Sequence, residues 1–299
     1  KFYALNNIIG NVNSDTKHNL MLYFDPSLGK FEPIPDDTMG FGSLTLPRTT
    51  QRILNFNKLP NFKIPLYERS TPLYNAMLRD VSFVNLKNKY LKIFLEKYKP
   101  DSQYQIIDSI YEKTNFYIKN DIKKRSIQET LVGFMSIPMT NYDFKRNKSK
   151  LKEWIKNRHE FLEKELEVSN LKIEYFKQSE NYIFKLNYKS NFNILLKNKK
   201  IIKNLKINEV NKKYINYIDT NTLSILPNLS KTKADRYLWT KDNRYKEFFI
   251  AEENEIIFTV KNYGINKIKK LLEHSFFNSI TNENLKIKFS KINNINKNT

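Results

Sequence analysis

Residues 20–35 read LMLYFDPSLGKFEPIP and predict a β-hairpin. The apolar run from Leu20 to Phe24 is typical of a strand, and Phe31 to Ile34 is typical of the strand that returns. Between them, DPSLGK at 25–30 supplies proline and glycine where the backbone must reverse. Because both strands rise by about 3.3 Å per residue, the hairpin brings the residues before it close to the residues after it.

Polar and acidic residues flank this hairpin on both sides. Residues 10–19 read GNVNSDTKHN, and residues 35–37 read PDD. A carboxylate on a loop, an amide a few residues later and a second carboxylate beyond a hairpin form the arrangement that phosphoryl transfer needs. One carboxylate orients the acceptor hydroxyl, while the amide and the other carboxylate hold magnesium, which prefers oxygen ligands. Asp and Asn are also ordinary turn residues, so the spacing alone leaves a purely structural role open.

Composition narrows the chemistry that such a site could use. The 299-residue chain has no cysteine, so disulfides, thiolate nucleophiles and Cys-ligated metal centres are excluded. Its three histidines are far apart in the sequence, which disfavours a His-rich metal centre. Hydrophobic residues make up 40% of the chain, enough for a sizeable core, and the length suits two domains better than one. No stretch of sequence is long and apolar enough to span a membrane.

The formal net charge of +21 has two interpretations. One is a partner rich in phosphate or carboxylate groups. The other is codon bias, because Lys, Asn and Ile are used heavily while glycine is scarce, as an AT-rich genome would produce. Nucleic-acid binding is the weaker hypothesis, since the positive charge is spread along the chain and no DNA- or RNA-binding motif is present.

Helical periodicity dominates from about residue 72 to residue 168. Thr71 and Pro72 provide an N-cap and a first helical residue. Further amphipathic helices are predicted around residues 106–118 and 150–166, because apolar residues recur there at three- and four-residue spacings.

Short alternating runs follow the helical region and are typical of a β-sandwich. The strands are predicted at 171–176, 182–186, 192–196 and 255–260, with one short helix at 265–272. We therefore expect an α+β protein with a mainly helical domain at 1–168 and an all-β sandwich domain at 169–299.

Several short motifs, in order, resemble the CotH-type spore-coat kinase family, a remote branch of the protein-kinase-like fold. Around the hairpin the matching residues are Asp15, His18-Asn19, Leu22-Tyr23, Gly29-Lys30 and Ile34-Pro35-Asp36-Asp37. Farther along, TPLYNAML at 71–78 and IKNRHEFL at 155–162 are similar to helices of that family. The resemblance covers about residues 1–168 and implies the carboxyl-terminal lobe of a kinase-like fold.

The resemblance also implies roles for individual residues. Asp15 matches the catalytic-loop carboxylate, and Asn19 matches a magnesium ligand in the nucleotide-binding loop. His18 lies in the same loop, with a positioning role in cofactor binding at most. Asp37 matches the metal-binding aspartate, but Asp36 stands where the family has tryptophan, so either of these two carboxylates could be the ligand.

The family resemblance implies that ATP and Mg²⁺ are the cofactors and that phosphate passes to Ser or Thr hydroxyls of a protein. A basic or coat protein is among the candidate substrates, and the location implied is secreted or on the surface of a bacterial cell or spore. The amino-terminal lobe of such a kinase has no counterpart in these residues, so we expect poor ATP binding and little activity without it. The alternative is a non-catalytic coat or surface protein whose basic β-domain binds an anionic polymer or another coat protein.

Overall fold

The computed structural model describes residues 1–10, 20–35, 67–69, 72–78, 80–121, 125–130, 133–138, 140–178, 180–235 and 245–292. The chain is a mixed α+β protein with several separate sheets. It divides into two compact units. The first unit contains residues 1–80, 90–164 and 231–249, and the second contains residues 81–89, 165–230 and 250–299.

The elements up to residue 165 are mostly helical. In chain order they are α1 Phe2–Ile9, β1 Leu20–Asp25, β2 Lys30–Pro35, β3 Tyr67–Arg69, α2 Pro72–Met77, α3 Val81–Lys97, α4 Pro100–Asn120, β4 Arg125–Thr130, β5 Gly133–Pro138 and α5 Asn141–Glu165. Strands β1 and β2 form one antiparallel hairpin, and β4 and β5 form another.

The later elements are mostly strands. In chain order they are β6 Ser169–Gln178, β7 Asn181–Lys189, β8 Ile194–Lys197, α6 Lys199–Asn204, β9 Leu205–Ile207, a 3₁₀ helix Glu209–Tyr214, β10 Ile215–Tyr217, β11 Thr222–Ile225, β12 Asn228–Asp235, β13 Tyr245–Glu252, β14 Asn254–Val260, α7 Ile265–Glu273, β15 Phe276–Asn278 and β16 Lys288–Lys291.

The strands form three larger sheets. A five-stranded sheet has the order β16-β6-β7-β14-β9, a four-stranded sheet has the order β10-β11-β8-β15, and a three-stranded sheet has the order β12-β13-β3. Strand β16 runs parallel to β6, whereas β14 pairs antiparallel with both β7 and β9.

Local sequence explains several element boundaries. Helix α4 begins at Pro100, whose fixed φ suits the first helical position, and Asp101 places a carboxylate in the first turn. Helix α1 ends at Gly10, which adopts the left-handed conformation with φ 61°. The side chain of Asn198 caps α6 by accepting hydrogen bonds from the backbone N–H groups of Lys200 and Ile201.

One apolar cluster forms the core of the second unit. It combines residues of the five- and four-stranded sheets with residues of α6 and α7. Phe184 of β7 and Phe258 of β14 stack there with ring centroids 5.4 Å apart. Alternate residues of β7 and β14 face this cluster, as a sheet with one buried face requires.

The structure corrects the expectation that this part of the chain is all-β. Ile201 and Ile202 of α6 and Ile268 and Leu272 of α7 are core residues, so helices contribute to the same core as the sheets. The α7 prediction is confirmed. The six-residue α6 covers fewer than two turns, which is too short for a helical period to be recognised in sequence.

The predicted helical region needs three corrections. Residues 125–130 and 133–138 form two paired antiparallel strands. The sequence did not predict them because two six-residue strands with many polar residues give only a weak alternating pattern. Helix α5 begins at Asn141, well before the predicted start. The helix that begins at Pro72 ends at Met77, and a separate helix, α3, then runs unbroken from Val81 to Lys97. Among the described residues, no helix is both long and apolar enough to cross a membrane.

Candidate functional site

The predicted hairpin around the candidate site is confirmed. Its register runs from Leu20 opposite Pro35 to Asp25 opposite Lys30, so the two strands pair along their whole length. Leu20, which follows Asn19, is therefore paired with Pro35, which precedes Asp36.

The turn of this hairpin is built by Asp25 and Gly29. One carboxylate oxygen of Asp25 accepts hydrogen bonds from the Ser27 hydroxyl at 2.6 Å, the Ser27 N–H at 2.8 Å and the Leu28 N–H at 3.3 Å. The Ser27 hydroxyl, followed by the two backbone donors, holds the pKa of the Asp25 carboxyl below its ordinary value. Gly29 takes the left-handed φ of 61° that closes the turn. Asp25 is thus a structural turn residue.

The hairpin exposes large apolar side chains to solvent. Tyr23 of β1 is 52% exposed and Phe31 of β2 is 68% exposed. Phe24 and Phe31 lie opposite each other in the register, with ring centroids 5.0 Å apart. The two strands therefore support each other through cross-strand contacts.

Helix α1 leads directly into the segment that carries Asp15. Its carboxyl-terminal end is held by Arg158 of α5, whose side chain is only 1% exposed. The Arg158 guanidinium donates hydrogen bonds to the Asn7 carbonyl oxygen, from Nε at 3.0 Å and from Nη2 at 2.5 Å. The Gly10 N–H donates to the same oxygen. A buried cation at a helix carboxyl terminus complements the helix dipole and satisfies a terminal carbonyl group.

The neighbouring His159 also has a structural partner. Its Nε2 lies 2.9 Å from the Leu95 carbonyl oxygen, and its Nδ1 lies 3.6 Å from a carboxylate oxygen of Glu163. Because a carbonyl oxygen can only accept, the Nε2 atom must carry the hydrogen. Arg158 and His159 therefore join α5 to α1 and to α3 within the first unit. The sequence gives no signal for either bond, since each partner is a backbone carbonyl.

The predicted site residues themselves lie outside the described residues. This applies to Asp15, His18, Asn19, Asp36 and Asp37. Among the described residues, no group of three or more His, Cys, Asp or Glu side chains could hold a metal ion. The roles of these five residues thus stay predictions. The structure describes the β1–β2 hairpin, which lies between Asn19 and Asp36 in the sequence.

A pocket of about 680 Å³ opens in the second unit, where β6, β7 and β14 lie side by side. Two pairs of its polar groups are hydrogen-bonded to each other: the Asn170 amide donates to Glu253 at 2.7 Å, and the Asn254 amide donates to the Tyr188 hydroxyl at 2.7 Å. The Tyr188 hydroxyl donates in turn to the Leu226 carbonyl oxygen at 2.5 Å, and burial raises the pKa of Tyr188. Such a phenol is a structural donor rather than an acid-base group.

Comparison with known proteins gives one match. A family model described as "CotH kinase protein" matches residues 1–162, which is more than half of the chain. No curated protein and no solved structure matches it.

Proposed function

The chain belongs to the CotH kinase protein family, and on this premise we propose that it transfers phosphate from ATP to Ser or Thr hydroxyls of a protein. The observation that carries the proposal is the register of the β1–β2 hairpin, which pairs Leu20 with Pro35. Asn19 and Asp36 are each one peptide bond from that pair, and consecutive Cα atoms are about 3.8 Å apart. The register therefore supports the proposal that the segment before β1 and the segment after β2 lie close together.

In the proposed reaction the acceptor hydroxyl attacks the γ-phosphorus of ATP. A new bond forms between the hydroxyl oxygen and phosphorus, the bond from phosphorus to the β–γ bridging oxygen breaks, and ADP leaves. Asp15 orients the hydroxyl and accepts its proton.

The donor set fits magnesium, because carboxylate and amide oxygens are the hard ligands that this ion prefers. Asn19 and Asp37 would hold the ion, with Asp36 as the alternative carboxylate, and His18 would position the loop. Bound magnesium would neutralise the charge that develops on the phosphates.

We further propose that residues 1–168 have the arrangement of a kinase carboxyl-terminal lobe and that residues 169–299 form a separate appended domain. The helices α2 to α5 and the β1–β2 hairpin support the first part. The single apolar cluster shared by two sheets and two helices supports the second. A secreted or surface location and a protein substrate belong to the same proposal.

The test is a phosphotransfer assay on the protein at its natural full length, with magnesium, ATP labelled in the γ-phosphate and candidate acceptor proteins. We expect Asp15→Asn to lower incorporation by about a hundredfold or more. Asp37→Asn should raise the magnesium concentration needed for half-maximal rate. Glu112→Gln, which changes an exposed carboxylate on α4, is the matched control and should be fully active. Unchanged activity of the Asp15 and Asp37 variants would reject the assigned roles.

The second candidate function is a non-catalytic coat or surface protein. It is favoured by Asp36, which stands where the family resemblance predicts tryptophan. Absence of phosphotransfer by the natural full-length protein, together with normal folding, would favour this candidate.

A further inference from the structure

Seven exposed lysines lie on or beside the two helices of the second unit. Lys199, Lys200 and Lys203 lie on α6, Lys206 on β9, Lys261 after β14, and Lys267 and Lys270 on α7; together they are the lysine surface. The opposite sides of both helices are buried in the apolar core through Ile201, Ile202, Ile268 and Leu272. Each helix therefore has an apolar inner side and a cationic outer side.

Hydrogen bonds bring the two groups of lysines together. The Lys261 N–H donates to the Asn204 carbonyl oxygen at 3.1 Å, and the Asn262 amide donates to the Asn204 side-chain oxygen at 2.9 Å. These bonds fix the end of α6 against the segment that leads into α7. Lys206 is paired with Thr259 in the register of β9 and β14, two residues before Lys261. The lysines of α6, β9 and α7 thus share one region of the surface.

The lysines of the lysine surface have no carboxylate partner among the described residues, a feature they share with other lysines of the unit such as Lys177 and Lys286. Elsewhere in the unit Lys172 pairs with Glu174 at 3.0 Å, Lys185 with Glu255 at 3.3 Å and Lys212 with Glu209 at 2.7 Å. None of the seven lysines forms a salt bridge with a described residue. The sequence has no Asp or Glu at 189–208 or at 256–272. Glu273, the exposed last residue of α7, forms no salt bridge with a described residue. Like charges held close together repel, and a bound anionic partner would relieve that repulsion.

The chemistry of this surface selects among anionic partners. It contains no arginine, the side chain that recognises phosphate through paired hydrogen bonds. No described residue of α6 or α7 is an exposed large apolar or aromatic side chain. Insertion into a membrane therefore has no side chain to use among the described residues of these helices. The Tyr263 ring, between Lys261 and Lys267, packs against the core and has the Lys267 Nζ 4.8 Å from its centroid, so its ring is already engaged and offers little for stacking with nucleic-acid bases. Lysines act as flexible point charges, which suits a carboxylate-rich polypeptide of no fixed conformation.

We propose that the lysine surface formed by α6, β9 and α7 binds an acidic polypeptide segment, a run of Asp or Glu side chains. This binding is separate from phosphotransfer, and either function can fail without the other.

The test is binding of the full chain to a short fluorescein-labelled poly-L-glutamate, measured by fluorescence anisotropy. The surface variant carries Lys199→Gln, Lys203→Gln, Lys267→Gln and Lys270→Gln. The matched control carries Lys113→Gln, Lys119→Gln, Lys145→Gln and Lys150→Gln, four exposed lysines of the first unit. Both variants lose four positive charges, so a difference in their affinity for poly-L-glutamate depends on where the lysines lie and not on net charge. Circular dichroism establishes that each variant is folded.

We expect the surface variant to bind at least about tenfold more weakly than the unaltered chain, and the control to bind within about twofold. Binding of the unaltered chain should weaken steeply as salt is raised. Equal losses in both variants, or no binding to poly-L-glutamate by the unaltered chain, would overturn the proposal. So would preferential binding to single-stranded DNA, to polyphosphate or to phosphatidylserine vesicles, because the partner would then belong to another class.

Discussion

The Arg158 guanidinium donates two hydrogen bonds to the carbonyl oxygen of Asn7, although the two residues are 151 positions apart in the chain. This contact anchors α1 to α5 within the first unit. Helix α1 ends at Gly10, and the segment that contains the predicted catalytic Asp15 follows at once. A buried cation thus fixes the point at which that segment begins.

Replacing Arg158 with Met should lower the free energy of unfolding by about 2 kcal/mol, because hydrogen bonds to charged groups contribute about 1.5–3 kcal/mol. The variant retains an apolar side chain but leaves the Asn7 carbonyl oxygen without the guanidinium. Urea denaturation followed by circular dichroism measures the change. The control is Lys156→Met on the exposed side of the same helix, which should stay within about 0.5 kcal/mol of the unaltered chain. Equal effects of the two substitutions would contradict the structural role of Arg158.

Gly29 should resist substitution for reasons of backbone conformation alone. Its φ is 61°, and a Cβ atom added there would meet nothing within 4 Å. Gly29→Ala should therefore speed hydrogen exchange of the β1–β2 amides about fivefold, corresponding to about 1 kcal/mol of left-handed strain. Gly264→Ala is the control, because Gly264 has equal space but an ordinary φ of −70°. Unchanged exchange in Gly29→Ala would show that the turn does not depend on this conformation.

The sequence predicted the β1–β2 hairpin because its signal is local: two apolar runs with Asp, Pro and Gly between them. It could not predict the bond between Arg158 and Asn7. The acceptor is a backbone carbonyl, which every residue has, so the residue type at position 7 gives no information about the bond. The sequence also did not predict helix α6, because two apolar residues, Ile201 and Ile202, are too few to define a helical period. The predicted site residues lie outside the described residues. Of the predicted site, only the hairpin between its two segments is therefore confirmed.

Asp108 of α4 should make stability depend on pH. Its carboxylate contacts Lys148 at 2.7 Å and Lys152 at 2.6 Å, and these hydrogen bonds hold the pKa of Asp108 below its ordinary value. A carboxyl group whose pKa is lower in the folded state stabilises the fold above its unfolded pKa of about 3.9. That contribution disappears as the pH falls through the lower folded value.

Asp108→Asn should therefore lower the urea midpoint at pH 7, and the difference from the unaltered chain should shrink as the pH falls below about 3.9. Urea denaturation of both proteins at pH 7 and at acidic pH measures this change. Glu112→Gln on the same helix is the control, because Glu112 forms no salt bridge with a described residue. A difference for Asp108→Asn that stays constant with pH would contradict the role of the carboxylate charge.

Tyr188 links β14 to the segment between β11 and β12 through its hydroxyl, which donates to the Leu226 carbonyl oxygen and accepts from the Asn254 amide. Tyr188→Phe should lower the free energy of unfolding by about 1–3 kcal/mol, because both partners lose a hydrogen bond in a buried setting. Tyr182→Phe on the same strand is the control and should change stability by less than about 0.5 kcal/mol, since the Tyr182 ring is only partly buried. The raised pKa of Tyr188 adds a spectroscopic check: phenolate absorbance from this residue should appear only at higher pH than that of the exposed tyrosines. Equal stability of the two variants would show that the Tyr188 hydroxyl contributes nothing to the core.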